Sequence, residues 1–428
     1  MSDHVEYSSL LHPDRRYTFK EVVEQSLAPD GSLFVPRTLP VMDASLLVQQ
    51  KILDLSYSAY QLLSPFVEPD LSEHQLREVI AHTFPFEIPI KQLNGSELYV
   101  EELFHGPTHA FKDIGARFLA GCLKQWQKQG DNLTVLVATS GDTGGAVANA
   151  FYGLEGIQVV ILYPLDKISA FQEQQIAGLG KNIKAIAVNG NFDDCQQLVK
   201  QAFSDPSINS RIHLTSANSI NIGRWIPLLM FYAVAWHFME SQGLEKNIVV
   251  PSGNYGNISA GLLFHQMGFP FNRIMSAHNQ NDTIPRYLES NVYQPHPTMA
   301  TYANAMDVSD PSNFVRFEYL RKTGDENSIH FTATSVSDEE ILVAIRECWE
   351  KHNYLLDPHS ATAYHISKEN GNQGLILSTA HPYKFKDIIT KAMGFYPGDW
   401  LLDEREGEIF RTEIDNHFDA LQEILLQP

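Results

Sequence analysis

Cysteine is scarce in this sequence, with Cys122, Cys195 and Cys348 as the only examples among 428 residues. The three are odd in number, far apart and without the spacing of metal ligands. We therefore expect reduced, mostly buried thiols, with neither a disulfide framework nor a zinc or other metal site. This pattern is typical of a cytoplasmic protein.

Basic residues are also few, with 31 Lys and Arg against 51 Asp and Glu, and the net charge is −20. No Lys/Arg run is present, so the sequence argues against a nucleic-acid partner, which needs a basic face. The start of the chain lacks the basic-then-apolar layout of a signal peptide. The longest apolar run, residues 225–239, is interrupted by Pro227 and His237 and is too short to span a bilayer. We expect it to be a buried helix and expect no membrane partner.

The length allows two or three domains, and the apolar content of 43% is ordinary for a globular protein. Residues 1–92 are predicted to form an N-terminal, mainly helical domain. Helical patterning covers 19–27, 46–53 and 71–84, and a turn at Asp30–Gly31 lies within the segment PDGSLFVP.

The pattern changes near residue 95, where apolar, β-branched runs begin to alternate with helical stretches. Continuous apolar strands separated by helices indicate an α/β fold with mostly parallel sheets covered on both faces. We therefore predict an α/β core over 93–428. A helix at 338–352 is marked by a capping box of Ser337 and Glu340, and 291–312 is predicted to be a long loop. The predicted strands are 133–139, 157–163, 183–188, 248–250, 274–277 and 375–377.

Lys112 is the first candidate functional residue, in the segment ELFHGPTHAFKDIGARF. It follows a Gly106–Pro107 turn, lies beside Phe111 and precedes a helical stretch. A lysine that is partly desolvated beside a ring loses preference for its charged form, as an amine that attacks a carbonyl requires. The alternative is an exposed lysine at a helix start, which is the commoner situation.

Three predicted strands end in small polar residues. The loops 140–145 and 252–257 each join a strand to a helix and supply free backbone N–H groups that suit an anion. Thr379 follows the third strand, at the edge where open α/β sheets bind ligands. Ordinary turns and helix caps are the alternatives. Neither loop has the Gly-Lys-Ser/Thr of a nucleotide-binding P-loop, and no GxGxxG is present.

A fourth polar stretch, residues 215–224, precedes the long apolar run. Arg224 is the strong cation near these loops and suits a phosphate group. A surface arginine among capping residues is the alternative.

These segments together resemble the threonine synthases, which are fold-type II pyridoxal-phosphate enzymes of the tryptophan synthase β-like family. The resemblance covers nearly the whole chain and is carried by motifs in the family's order. His109 and Tyr255 depart from the residues expected at their positions. The motifs are PDGSLFVP, HGPTHAFKD, TSGDTGGAV, SANSINIGR, PSGNYGN, NAMDVSDPSN and STAHPYKF.

The resemblance implies a two-lobed fold, pyridoxal 5′-phosphate as cofactor and a role for each matching residue. Lys112 would form the Schiff base, and Thr379 would hydrogen-bond the pyridine nitrogen. The cofactor phosphate would be held by Ser252, Gly253, Asn254, Tyr255 and Gly256. The residues facing the substrate carboxylate or the cofactor ring would be Ser140, Gly141, Asp142 and Thr143. The substrate phosphate would be held by Ser219, Asn221 and Arg224.

The implied reaction converts O-phospho-L-homoserine and water into L-threonine and phosphate, with Lys112 also moving protons. One alternative is a related fold-type II lyase, such as a phospholyase or a threonine/serine dehydratase. Another is a catalytically idle, ligand-binding relative. The sequence does not decide between a monomer and a homodimer.

Overall fold

A computed structural model of the protein describes residues 4–324, 329–371, 373–397 and 407–427. The first elements are β1 Tyr7–Ser9, α1 Phe19–Gln25, β2 Phe34–Pro36, α2 Ser45–Val48, α3 Leu55–Val67 and α4 Glu73–Thr83. The chain continues with β3 Ile90–Gln92, β4 Glu97–Glu102, α5 Lys112–Trp126, β5 Leu133–Ala138, α6 Asp142–Phe151, β6 Ile157–Pro164, α7 Ala170–Ala177, β7 Ile183–Asn189, α8 Phe192–Ser204, α9 Pro206–Asn209 and β8 His213–Ser216.

The second half begins with two helices, α10 Ile222–Trp225 and α11 Leu229–Ser241. It continues with β9 Asn247–Pro251, α12 Gly256–Gln266, β10 Arg273–His278, α13 Thr283–Ser290, α14 Phe314–Thr323, β11 His330–Ser335, α15 Asp338–His352, α16 Pro358–Glu369, β12 Gln373–Ser378, α17 Lys386–Met393, β13 Arg411–Asp415 and α18 Phe418–Leu426. Short 3-10 turns occupy Ile226–Leu228, Asn304–Met306 and Pro382–Phe385.

Two larger sheets organise the described residues, and we call each sheet with its helices a lobe. In the first lobe the strand order is β13-β7-β6-β5-β8, and every pairing is parallel. In the second lobe the order is β11-β10-β9-β12-β4-β3, and only β3 runs antiparallel to its neighbour. The central strands are buried along nearly their whole length, as parallel strands covered on both faces are. The predicted mostly parallel α/β architecture is confirmed.

The six predicted strands and the helix Asp338–His352 are all present, the latter with its Ser337–Glu340 capping box. The predicted loop 291–312 contains one 3-10 turn and no longer element within it. The long apolar run does form buried helix, but Pro227 lies in a 3-10 turn that separates α10 from α11. All three cysteines are free and buried, as expected.

Other local predictions were wrong. The helix expected over 46–53 is confined to Ser45–Val48. Strand β4 was missed because its sequence, ELYVEE, carries three glutamates in six residues. Glu101 is nevertheless fully buried, and this burial raises the pKa of its carboxyl well above the usual range. No hydrogen-bond partner for its oxygens lies within the described part of the chain.

The N-terminal segment shares one hydrophobic core with the helices of the lobes. Val22, Phe34 and Leu62 belong to the same cluster of buried side chains as Leu119 and Trp225. Because these contacts are continuous, the segment is packed onto the lobes rather than separated from them. The predicted domain boundary at residue 92 stays a prediction.

Arg316, in α14, makes a buried polar connection between this segment and the rest of the protein. Its guanidinium is fully buried and donates hydrogen bonds to the carbonyl oxygens of Phe34 and Ile220 and to Oδ1 of Asn313. It also lies 4.6 Å from the centre of the Trp225 ring. One side chain therefore connects PDGSLFVP, SANSINIGR and the loop that precedes α14.

Replacing Arg316 tests this connection. Arg316→Met should lower the free energy of unfolding by about 3 kcal/mol, because buried carbonyl groups lose their donors. Urea denaturation measures the change. The control is Arg16→Met, which breaks the exposed ion pair with Glu6 and should have a much smaller effect. Equal effects of the two substitutions would contradict the assigned role of Arg316.

In the described ranges, no helix has the length and apolar character needed to cross a membrane.

Candidate active site

The loop between β4 and α5 places Lys112 at the first position of its helix. Thr108 donates from its backbone N and from Oγ1 to the Asp113 carboxylate, over 2.9 and 2.6 Å. A Cβ on Gly106 would lie 2.4 Å from Asp113 Oδ2, so this turn requires glycine. The backbone N of Phe111 donates to the carbonyl oxygen of Thr379. The segment is thereby fixed against the end of β12.

His109 adopts a left-handed conformation with φ of 57°. Histidine is among the non-glycine residues enriched in this region. Its carbonyl oxygen accepts from the backbone N of His381, which adds to the attachment at the end of β12. His109 therefore contributes to the local turn through its backbone conformation and through this hydrogen bond.

Lys112 is largely buried, which rules out the alternative of an exposed lysine. Its side chain is 14% exposed, and Nζ lies 3.9 Å from Asp142 Oδ2 and 5.9 Å from the centre of the Phe111 ring. Burial lowers the pKa of the amine from 10.5 to about 8, with the positive charges of Lys384 and Arg224 acting in the same direction and Asp142 opposing them. The sequence prediction of a partly desolvated amine beside Phe111 is confirmed.

The loop after β5 brings Asp142 to this amine. Thr139 Oγ1 accepts hydrogen bonds from the backbone N of Gly141 and of Gly144, which shapes the turn into α6. Gly141 has φ of 131°, a conformation that glycine adopts without strain. Asp142 Oδ1 accepts from Lys384 Nζ at 2.6 Å and from Gln172 Nε2 at 3.0 Å. Its negative charge is therefore matched by lysines on both sides.

The glycine loop after β9 comes very close to the long loop that contains NAMDVSDPSN. A Cβ on Gly253 would lie 2.8 Å from Met306 Cα, so a larger residue would force two backbones apart. Tyr255 is in the left-handed region with φ of 62°. Its hydroxyl contacts His278 Nε2 at 2.9 Å and Ser276 Oγ at 3.2 Å. The first turn of α12 then begins at Gly256, with backbone N–H groups that have no acceptor inside the helix.

Arg224 is buried, and part of its guanidinium forms no hydrogen bond with the described residues. Nη1 donates to the carbonyl oxygen of Ala217 at 2.6 Å, whereas Nε has no hydrogen-bond partner among the residues described. Burial lowers the pKa of the guanidinium to about 10, and Asp113 opposes that shift. A buried donor without a partner costs free energy, so this arrangement is suited to an anion that enters from outside.

A cavity lies where the carboxyl ends of β5, β9 and β12 meet the start of α5. This is where open α/β sheets bind ligands. Most of the candidate residues from the sequence line it: Lys112, Ser140, Asp142, Thr143, Ser219, Arg224, Ser252, Gly253, Asn254, Tyr255, Gly256 and Thr379.

Gly141 and Asn221 were also candidates, but neither is among the lining residues. The Asn221 amide donates to Val23 O, Ser26 Oγ and Ser216 O, and its Oδ1 accepts from the backbone N of Gly223. Since these bonds occupy the whole amide, the prediction that Asn221 binds phosphate is corrected. Its side chain joins the N-terminal segment to α10.

Sequence reasoning missed other lining residues and a buried cation next to them. His359 lines the cavity, and its Nε2 accepts from the backbone N of Ala305. Lys384 is fully buried against Asp142, so Arg224 is not the sole strong cation near the loops. Lys384 lies in the motif STAHPYKF, but its ion pair depends on a residue distant in sequence. The further lining residues include Phe192, Gln196 and Asn218.

Comparison with known proteins assigns the fold to a class. The family described as pyridoxal-phosphate dependent enzyme matches residues 85–376, and the family described as threonine synthase N terminus matches residues 6–84. The class defined by this fold and this cavity is therefore the pyridoxal-phosphate-dependent enzymes. The predicted cofactor is confirmed.

Comparison with individual proteins shows which enzymes of this class the chain is similar to. A threonine synthase of Buchnera aphidicola from Schizaphis graminum is 40% identical over 429 residues, covering 98% of this chain and 99% of that protein. The crystal structure of threonine synthase from Escherichia coli gives a TM-score of 0.90 at 37% identity, covering 98% and 99% of the two chains. The structure of pyridoxal-phosphate-bound threonine synthase from Brucella melitensis gives 0.89 at 30% identity, covering 98% of each.

The chain belongs to the threonine synthase family. It is a pyridoxal-phosphate-dependent lyase of fold type II, and the activity predicted from its motifs is confirmed by these matches.

The close approach at Gly253 gives a test of the cavity wall. Gly253→Ala should lower the free energy of unfolding by about 2 kcal/mol, because the added methyl group meets the Met306 backbone. Gly256→Ala is the control from the same loop, since its Cβ would have no neighbour closer than 3.5 Å. Urea denaturation of both variants measures the difference. Equal stability of the two would contradict the described contact.

Proposed function

We propose that the cavity converts O-phospho-L-homoserine and water into L-threonine and phosphate, with Lys112 as the residue that binds the cofactor and moves protons. The observation that carries this proposal is the buried, pKa-lowered amine of Lys112 in a cavity that is also lined by Arg224, whose Nε has no hydrogen-bond partner in the described part of the chain. The amine suits carbonyl chemistry, and the guanidinium suits a phosphate ester.

The chemistry of the lining residues fits the cofactor. Lys112 Nζ would attach covalently to the aldehyde carbon. The backbone N–H groups at the start of α12 would receive the phosphate. The Ser252 hydroxyl donates to the carbonyl oxygen of Val250 and would join them by turning away from that acceptor. These donors come from the loop Ser252, Gly253, Asn254, Tyr255 and Gly256. The Thr379 hydroxyl would hydrogen-bond the pyridine nitrogen. When bound, the cofactor supplies an electron sink for the negative charge that develops on the substrate carbon.

The substrate phosphate would lie against Arg224, whose Nε is buried and has no partner among the residues that the structure describes. Ser219 Oγ accepts from Asn254 and Asn313, so its own hydroxyl proton is available for a phosphate oxygen. Ser140 and Thr143 also line the cavity and would donate to the substrate carboxylate. Asp142 carries a negative charge and would repel a substrate carboxylate. We therefore propose that Asp142 interacts with Lys112 and not with the substrate.

Lys112 would do the proton transfers. With a pKa of about 8, roughly a tenth of the free amine is neutral at pH 7, against fewer than about one in a thousand for an ordinary lysine. Once the substrate amine has released it, Nζ would take the proton from Cα and give it up within the site, so that it can next take a proton from Cβ as phosphate leaves Cγ. Nζ would return this second proton to Cγ, which becomes the methyl carbon. Water would then add its hydroxyl at Cβ, its remaining proton would go to the released phosphate, and Nζ would return a proton to Cα. Asp142 would stabilise the ammonium form between these transfers.

A cytoplasmic location stays a prediction.

The proposed reaction is tested by phosphate release. The purified protein with pyridoxal phosphate should release phosphate from O-phospho-L-homoserine and form threonine. O-phosphothreonine and threonine should be poor substrates. Threonine detection by chromatography and colorimetric phosphate measurement follow both products. Preferred turnover of phosphothreonine or threonine would support the phospholyase or dehydratase alternatives instead.

Lys112→Ala should lower kcat by at least about a thousandfold, because no other group would then supply the attacking amine. Lys112→Arg is the matched variant, since it keeps the charge and lacks the nucleophile. Both should be inactive in the phosphate-release assay. Substantial activity in the arginine variant would show that only the positive charge of Lys112 is needed.

Arg224→Ala should raise KM for O-phospho-L-homoserine by about ten- to a hundredfold. This is the loss of affinity expected when one or two charge-assisted hydrogen bonds to the substrate are removed. Arg224→Lys should lie between the alanine variant and the unchanged protein, because it keeps the charge without the fork of donors. Inhibition by inorganic phosphate should weaken in parallel. Unchanged kinetics and unchanged phosphate inhibition in Arg224→Ala would refute the assignment.

A further inference from the structure

Lys384 is a buried cation next to the cavity that the proposed reaction leaves without a role. It lies in the 3-10 turn Pro382–Phe385, which is separated from the end of β12 by three residues, and its side chain is fully buried. Nζ donates to Asp142 Oδ1 at 2.6 Å and to the carbonyl oxygen of Thr108 at 3.0 Å. A buried charge needs such partners because it has lost its water.

Asp142 links Lys384 to Lys112. One carboxylate oxygen contacts Lys384, and the other lies 3.9 Å from Lys112 Nζ. These two lysines, with His359 at longer range, keep the pKa of the Asp142 carboxyl well below its usual range against the opposing effect of burial. Asp142 is therefore an anion shared between two amines.

The charged groups that act on Lys112 come from three elements. Asp142 at the start of α6 favours its ammonium form, whereas Lys384 and Arg224 of α10 disfavour it. Without Lys384, the whole charge of Asp142 would be available to Lys112. An unshared carboxylate beside a buried amine strongly favours the protonated amine. Such a lysine would be a poorer nucleophile and a poorer base near neutral pH.

We propose that Lys384 is a positioning residue that neutralises Asp142 and so prevents this carboxylate from holding a proton on Lys112. Lys384 acts mainly through Asp142, adds a smaller direct repulsion to the Lys112 ammonium, and does not itself contact the substrate. This inference rests on the proposed role of Lys112, which the turnover of Lys112→Ala tests separately. The competing role is structural, in which Lys384 only fixes the Thr108 carbonyl and the end of β12.

The test is the titration of Lys112 in the full-length protein freed of cofactor. The protein is treated briefly with acetic anhydride over a range of pH, and acetylation of the Lys112 peptide is measured by mass spectrometry. The midpoint in the unchanged protein is expected near 8. Lys384→Met should move it upward by at least about one pH unit, because the ammonium form gains an unshared carboxylate. The acid limb of the kcat profile in the cofactor-loaded enzyme should move in the same direction.

For Asp142→Asn we expect the pH midpoint of Lys112 acetylation to move in the opposite direction. Removing the carboxylate should move the Lys112 midpoint downward, and in that background Lys384→Met should lose most of its effect. Lys246→Met is the matched control, because Lys246 forms an ion pair with Glu240 and its contacts involve none of the cavity-lining residues. It should leave the Lys112 midpoint unchanged.

An unchanged midpoint in folded Lys384→Met would overturn the proposal and leave the structural role. A shift of the same size with and without Asp142 would also overturn it, because Lys384 would then not act through the carboxylate. If Lys384→Met does not fold, Lys384→Gln takes its place, because glutamine keeps a donor for the Thr108 carbonyl and carries no charge. An upward shift in this variant supports the proposal, and no shift refutes it. If Lys112→Ala retains full turnover, the proposed function fails, whatever the titration shows.

Discussion

The removal of the Lys112 amine from water is the constraint on which the site depends. A desolvated amine loses its preference for the charged form, and its pKa falls to about 8. Asp142 opposes this effect, and its carboxylate is also bound by Lys384. The balance needs three elements brought together: the starts of α5 and α6, and the turn after β12.

The N-terminal segment contributes to this site from outside the cavity. Asn221 and Arg316 connect it to the stretch that leads to Arg224. Their hydrogen bonds reach the carbonyl oxygens of Val23 and Phe34, so the polar groups that hold the segment also order the side of the cavity where Arg224 lies. The contacts that pack the N-terminal segment therefore also help to fix the position of Arg224.

Much of the fold could be predicted because its central strands are continuous apolar runs, such as 157–163. Strand β4 was not predicted because it contains Glu101, which is buried although glutamate is usually exposed. In the site, local sequence marked Lys112 and the glycine loop as candidates, and the resemblance of their motifs to the family assigned their roles. Lys384 could not be found in this way, since its burial depends on Asp142, which is distant in sequence. Asn221 was misassigned because a motif lists neighbours without saying which way each side chain points.

The most direct test of this account is reduction of the cofactor-loaded protein with borohydride, followed by mapping of the labelled peptide. Two buried lysines, Lys112 and Lys384, lie on opposite sides of the Asp142 carboxylate, so the position of the label distinguishes them. We expect the visible absorption of the cofactor to disappear and the label to lie on Lys112. A label on Lys384, or a protein that takes up no cofactor, would contradict the account.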